Sequence, residues 1–139
     1  MISTKLCSVD KIRITSLFCE DVRIEHDGRC TLVGVFPTIG TIGDESIEFR
    51  QMCYIIFCDV PADIAEVDVA HDVVVGGSVE GIDGSFLEGN RAFKRPEDID
   101  GAESWQFVSY VTTGKVKITG PCRIAANLKI DCAETETRL

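Results

Sequence analysis

The chain has 139 residues, a formal net charge of −9 at pH 7 and 45% hydrophobic residues. This length predicts one domain, residues 1–139, that buries a core without help from disulfides or metals. The acidic charge disfavours direct binding to nucleic acid, because phosphate backbones carry the same sign. No segment has the ~18 apolar residues of a membrane span, and no secretory signal opens the chain. We therefore expect a cytoplasmic protein that makes no membrane contact.

The cysteines are odd in number, and no two of them have C-x-x-C spacing. Without an export signal, reduced thiols are the default. Free cysteine behaves as a small hydrophobe that is readily buried. The sequence therefore predicts that most of the cysteines fill the core: Cys7, Cys19, Cys30, Cys53, Cys58, Cys122 and Cys132.

The first predicted elements are two strands that flank Asp27-Gly28, a strong hairpin signal. A three-residue loop at 26–28 places Ile24 opposite Cys30 and collects apolar residues on one face. A two-residue loop would instead place Ile24 opposite Thr31 and mix the faces. We therefore predict the three-residue loop, with Gly28 in the left-handed conformation.

Cys19, His26 and Cys30 lie close enough in sequence to suggest part of a metal site. In the predicted register, His26 lies at the exposed tip, Cys30 points to the apolar face and Cys19 points to the other face. Zinc ligands must lie within ~2.0–2.3 Å of one point, and these three diverge. We expect no metal and no other cofactor. The same register makes Glu25 and Arg29 an opposite-charge pair.

Later segments also show a period near two. Residues 52–58 and 105–112 are apolar on both faces, which is typical of central strands. Residues 122–132 alternate between apolar and polar positions, which predicts a half-buried strand. In all, about eight short strands separated by turn signals are visible. They predict an all-β fold, a two-sheet antiparallel sandwich, with a small β-barrel as the alternative.

Several segments are predicted to be turns or loops. Gly76-Gly77 and Gly120-Pro121 are expected to break strands, and Asp83-Gly84 to close a second hairpin. Residues 62–67 could form a short helical turn. Residues 90–103 are the longest polar stretch and are predicted to be a surface loop, with a helical turn beginning at Pro96.

His71 shares its parity with the valines around it, so we expect it to point into the core. A bulge that turns it outward, or a role as a catalytic base, are the alternatives. No serine or cysteine has the local signature of a nucleophile, so no catalytic residue is predicted. Asp98, Asp100 and Glu103 lack the spacing of a calcium loop. The glycine-rich residues 76–81 lack the helix that a phosphate-binding loop requires.

The one basic cluster in this acidic chain is RAFKR, residues 91–95. An exposed aromatic residue between cations is a plausible contact point for a protein partner. The candidate binding residues are therefore Arg91, Phe93, Lys94 and Arg95. The alternative is that Phe93 packs under the loop while the charges are solvated.

Residues 19–36, CEDVRIEHDGRCTLVGVF, resemble the opening hairpin of a family of small uncharacterised bacterial β-sandwich domains. In that family a short strand and an Asp-Gly or Gly-Gly turn precede a strand similar to Thr31–Pro37. VEGIDGSFLEG and GPCRIAANLKI are compatible with the same pattern. The resemblance implies a fold and carries no catalytic residues, and this chain is richer in cysteine than the family pattern.

Three functions follow from these observations. The first is a non-catalytic protein-interaction or structural module of a cytosolic bacterial or phage protein, which binds a protein or itself through a sheet edge or a loop. The second is an acidic decoy that inhibits a nucleic-acid-binding or host-defence protein. The third is an enzyme that uses a cysteine or His71.

Overall fold

The structure is a computed structural model that describes residues 11–36, 46–97, 99 and 101–134. These residues form eight strands and one 3-10 turn at Gly84–Phe86. The strands are β1 (Arg13–Ile24), β2 (Cys30–Val35), β3 (Ile47–Phe49), β4 (Met52–Pro61), β5 (Ile64–Glu80), β6 (Glu88–Lys94), β7 (Ser104–Thr113) and β8 (Val116–Glu134).

The strands form two antiparallel sheets of four. The first sheet has the order β2-β1-β4-β7, and the second sheet has the order β3-β8-β5-β6. The predicted two-sheet all-β fold is confirmed. The prediction that residues 105–112 form a central strand is wrong, because β7 lies at the end of the first sheet.

The core fills the space between the sheets. Alternate residues of β4 point into it, and Tyr54 is almost completely buried there. Phe86 of the 3-10 turn is also fully buried, and its ring centroid lies 6.0 Å from that of Phe18. The intervening residues of β4 point to the other face of the first sheet, where Cys53 and Ile55 form a second, smaller cluster with Cys19.

The β1–β2 hairpin has the predicted register. Ile24 pairs with Cys30, and the loop closes through hydrogen bonds from Glu25 N to Arg29 O and from Gly28 N to Glu25 O. Gly28 has φ of 85°, a left-handed conformation that glycine adopts without steric cost. The three-residue loop is therefore confirmed.

The charged side chains of this hairpin do not pair as predicted. Arg29 forms an ion pair with Asp27 of the loop, and Glu25 accepts a hydrogen bond of 2.9 Å from the Thr31 hydroxyl. The strand register places Glu25 opposite Arg29, but the two side chains contact other residues and not each other.

β5 and β8 form one long antiparallel pair whose ladder is interrupted near the C-terminal end of β5. The register shifts between Gly77 and Val79, opposite Thr119–Pro121. The predicted breakers Gly76-Gly77 and Gly120-Pro121 do not end their strands, because they lie at nearly the same level of the pair and produce one shared bulge. Residues 122–132 form the predicted half-buried strand as the second part of β8.

Two other predicted turns differ from the structure. Residues 62–67 contain no helical turn, since a two-residue turn at Ala62-Asp63 leads from β4 in the first sheet directly into β5 in the second. The indole of Trp105 donates a 2.9 Å hydrogen bond to Ile64 O and so ties the two sheets together at this point. Asp83-Gly84 does not close a tight hairpin, because Gly84 begins the 3-10 turn that precedes β6.

Candidate functional site

Three of the four predicted binding residues, Arg91, Phe93 and Lys94, lie on β6, an edge strand of the second sheet, and not in a loop. Arg95 directly follows this strand. Phe93 points inward and stacks on Phe107 of β7, with ring centroids 3.9 Å apart and planes 8° from parallel. The interpretation of Phe93 as an exposed aromatic residue is therefore wrong, and the alternative, in which Phe93 packs inward, is confirmed. The strand parity of β6 explains the difference, because pairing with β5 turns Phe93 toward the core.

Two cations of this cluster, Arg91 and Arg95, contact other residues of the chain. The Arg91 guanidinium lies 5.8 Å from the Phe93 ring centroid. Arg95 donates from Nη1 to Ala62 O, and its backbone N–H donates to Ala65 O. Arg95 lines an open pocket of about 340 Å³, but its contact with Ala62 directs the guanidinium to the β4–β5 turn. Lys94 is exposed on the outer side of β6. Lys94 therefore points to the opposite face of β6 from Arg91 and Phe93.

His71 is a core histidine, as predicted. It is 8% exposed, and its Nε2 lies 3.0 Å from Ser85 O and 3.1 Å from Phe86 O. Both neighbours are acceptors, so we assign the proton to Nε2 as the donor. The imidazole thus holds the 3-10 turn against β5 and has its Nε2 occupied.

The thiols divide into buried and accessible groups. Cys19 and Cys53 face each other across β1 and β4, and both are fully buried. Burial raises the pKa of the Cys53 and Cys58 thiols from 9.0 to about 11, and it also raises the pKa of Cys19. These thiols are therefore poor nucleophiles at neutral pH.

The remaining described cysteines do not all follow the core prediction. Cys30 is half-buried and Cys122 is exposed. Cys132 is disulfide-bonded, so the expectation of a reduced thiol is wrong at this position. Within the described ranges, no group of three or more His, Cys, Asp or Glu side chains has the arrangement of a metal site. Asp98 and Asp100 lie outside the described residues.

The surface that sequence analysis missed is the edge of β7. This strand pairs with β4 on one side, and among the residues that the structure describes no backbone hydrogen bond joins Ser104–Thr113 to another strand. We call the side of β7 that faces away from β4 the open edge. All ten residues of the strand are uncharged.

Apolar side chains occur on both faces of β7, together with the uncharged polar residues Ser104, Gln106, Ser109, Thr112 and Thr113. Trp105, Phe107 and Val111 point into the core. Val108 and Tyr110 point to the outer face of the first sheet and are 40% and 41% exposed. The sequence contains a signal for this surface, because residues 105–112 have apolar side chains on both faces, but the same pattern predicts a central strand.

A second distinctive surface lies on the outer face of the second sheet. Asp68 of β5 is directly opposite Asp131 of β8, and Asp72 is directly opposite Glu88 of β6. All four side chains are exposed. We call these four residues the acidic face. Like charges in opposed positions destabilise a sheet. Lys129, which is exposed and opposite Ala70, lies between the two pairs on the same face.

Comparison with known protein families, curated proteins and solved structures finds no match. The resemblance of residues 19–36 to a bacterial β-sandwich family therefore stays a prediction. None of the described residues belongs to a helix with the length and apolar character needed to cross a membrane.

Proposed function

We propose that the protein is a non-catalytic interaction module that binds an extended segment of another polypeptide along the open edge of β7. In this mode the bound segment becomes an additional strand of the first sheet. Main-chain hydrogen bonds supply affinity, and contacts with alternate side chains supply specificity.

The observation that carries the proposal is the uncharged open edge itself. Edge strands of monomeric proteins are commonly short or protected by charges, proline or a bulge. β7 is ten residues long, spans about 34 Å, and contains no charge, proline or glycine. The other long edge strand of comparable length is β6, which carries Glu88, Arg91 and Lys94.

Val108 and Tyr110 define what kind of segment would bind. They lie on the outer face next to the open edge, where the side chains of an added strand would be their neighbours in the sheet. β-branched and aromatic residues pair favourably across strands. We therefore propose a partner segment with apolar, β-branched or aromatic residues at alternate positions.

The environments of His71 and of three buried thiols support this proposal over an enzyme that uses any of those four groups. His71 donates to backbone carbonyls, and the Cys19, Cys53 and Cys58 thiols have raised pKa values in the interior. Catalytic cysteines instead need a lowered pKa and access to substrate.

Selection from a library of displayed random peptides tests the proposal. Peptides selected on the wild-type protein should bind Val108→Lys at least about tenfold more weakly, because lysine on an edge strand opposes strand addition. Val74→Lys is the matched control, since Val74 is 54% exposed on the outer face of the second sheet. Equal loss of affinity in both variants, or in neither, would remove the β7 edge as the binding site.

The acidic face supports a second candidate function, the decoy-type inhibitor. Two opposed pairs of carboxylates present a repeated negative pattern that a basic nucleic-acid-binding surface could contact. Binding to an immobilised basic peptide should weaken steeply with salt and with the double variant Asp68→Asn/Asp72→Asn. Affinity that is independent of ionic strength would exclude this function.

A further inference from the structure

We infer that the polypeptide that fits the open edge of β7 is β7 of a second copy of this chain, paired antiparallel about a twofold axis at Ser109. This inference rests on the proposed binding function of the edge and names its partner. It depends on two features of the paired strands: opposed side chains lie on the same face of the sheet, and opposite charges meet at the ends of the strands.

The match of faces follows from strand geometry. In an antiparallel pair, opposed residues point to the same face of the sheet. A twofold axis at Ser109 pairs residues whose numbers sum to 218, so residues of equal parity are opposed. Val108 then lies opposite the partner's Tyr110, and Tyr110 lies opposite the partner's Val108. Each dimer gains two pairs of a β-branched and an aromatic side chain, which are favourable cross-strand neighbours.

The match of charges appears just beyond each end of the strand. Glu103 immediately precedes β7, and Lys115 follows it after one glycine. The same register, extended beyond the ends of β7, brings Glu103 next to the partner's Lys115, which lies in the two-residue turn between β7 and β8. This contact occurs once at each end of the interface. Both side chains are exposed, and the Lys115 ammonium already lies 3.0 Å from a Glu48 carboxylate oxygen.

The charge of the whole molecule favours this edge over other surfaces for self-association. Two copies with a net charge of −9 repel each other over most of their surfaces. The acidic face belongs to the second sheet, whereas β7 lies in the first. β7 is uncharged and has opposite charges at its two ends. Among the strand edges that the structure describes, it is therefore the one at which two copies repel each other least.

β2 is the other uncharged edge strand, but it fits this role less well. It has six residues, and Gly34 within it has φ of 65°. A left-handed residue interrupts the regular alternation of donors and acceptors that strand pairing needs. β7 has ten residues, and no residue in it has a positive φ.

Complementary charge reversal tests the inference. In Glu103→Lys, each end of the dimer would place two cations together, and in Lys115→Glu it would place two carboxylates together. A mixture of the two variants restores an opposite-charge pair at both ends. We expect each variant alone to dimerise roughly tenfold more weakly than wild type, and the mixture to recover most of the loss. Sedimentation equilibrium measures this against the 15.2 kDa monomer.

Two control variants make the same changes in net charge elsewhere. Glu88→Lys and Arg123→Glu alter exposed residues of the second sheet. Their mixture should form dimers no more readily than either variant alone. Equal recovery in the control mixture would show a general charge effect and would overturn the inference.

The remaining outcomes separate the inference from the proposed function. A wild-type chain that stays monomeric at all accessible concentrations overturns self-pairing, as does a Glu103→Lys and Lys115→Glu mixture that shows no recovery. In either case, selected peptides that still need Val108 would leave the proposed binding edge in place. If those peptides do not need Val108, the proposed function fails by its own test.

Discussion

Gly89 of β6 lies directly opposite His71 of β5, and the imidazole occupies the space that a side chain at position 89 would need. A Cβ atom there would lie 2.6 Å from His71 Cε1. The absence of a side chain at Gly89 therefore allows His71 to reach the carbonyls of Ser85 and Phe86. This relationship anchors the 3-10 turn whose Phe86 fills the core.

Replacement of Gly89 should show that the hydrogen bonds of His71 depend on the absence of a side chain at position 89. Gly89→Ala forces the imidazole away from its acceptors, and we expect a loss of about 1–3 kcal/mol in the free energy of unfolding. His71→Ala removes the obstacle, so Gly89→Ala should cost much less in that background. Urea denaturation of both single variants and the double variant measures the coupling. Additive losses would mean that the two residues do not compete for space.

The bulge shared by β5 and β8 predicts different effects for two adjacent glycines. Gly77 has φ of 93°, and a Cβ atom there would collide with the backbone carbonyl of Pro121. Gly76 has open space around its Cβ position. We expect Gly77→Ala to lower the free energy of unfolding by at least about 2 kcal/mol, and Gly76→Ala to change it by less than about 1 kcal/mol. Similar thermal stabilities for the two variants would contradict the bulge.

The buried thiols should make stability fall in alkaline solution. In the unfolded chain a cysteine ionises near its ordinary pKa of 9.0, whereas Cys53 and Cys58 have a pKa of about 11 in the fold. The stabilisation from a protonated thiol is complete below pH 9.0 and is lost as pH rises through about 11. Denaturant titrations between these pH values should show the decline.

Single cysteine variants test whether the buried thiols cause the loss of stability in alkaline solution. Cys58→Ala should lower stability at neutral pH but make its alkaline decline shallower, because one group that resists ionisation is gone. Cys122→Ala is the control, since Cys122 is exposed. An alkaline decline that is as steep in Cys58→Ala as in the wild type would count against the raised pKa of Cys58.

The opposed carboxylates of the acidic face should limit stability at low salt. Asp68→Asn removes the repulsion from Asp131 on the neighbouring strand, and we expect a gain of about 0.5 kcal/mol in the free energy of unfolding. High salt screens exposed charges, so the gain should disappear near 1 M salt. Thermal unfolding at both salt concentrations tests this, and a gain that is independent of salt would rule out electrostatic repulsion as its cause.

Local chemistry made some elements predictable from the sequence. Asp27-Gly28 and the alternation around it determine the register of the first hairpin, because turn geometry and one apolar face agree. The position of His71 followed in the same way, from its parity with the valines of β5. Both features depend on residues that are close together in the sequence, so they can be predicted from the sequence alone.

The elements that were predicted wrongly depend on pairing between strands that are distant in the sequence. β6 has the sequence EGNRAFK, whose glycine, asparagine and charges have low strand propensity, and its pairing with β5 makes it a strand. Gly77 and Pro121 look like breakers when considered separately, but their strands place them together in one bulge. Apolar residues on both faces of β7 suggested a central strand, because alternation alone contains no information on strand order.

Amide hydrogen exchange of β7, with and without a saturating selected peptide, tests the binding role of its open edge most directly. If the peptide binds at this edge, the β7 amides that do not donate to β4 should exchange quickly in the free protein and become protected when the peptide binds, while the outer edge of β6 is unchanged. Protection confined to β6, or binding with no change in the β7 amides, would contradict this binding role.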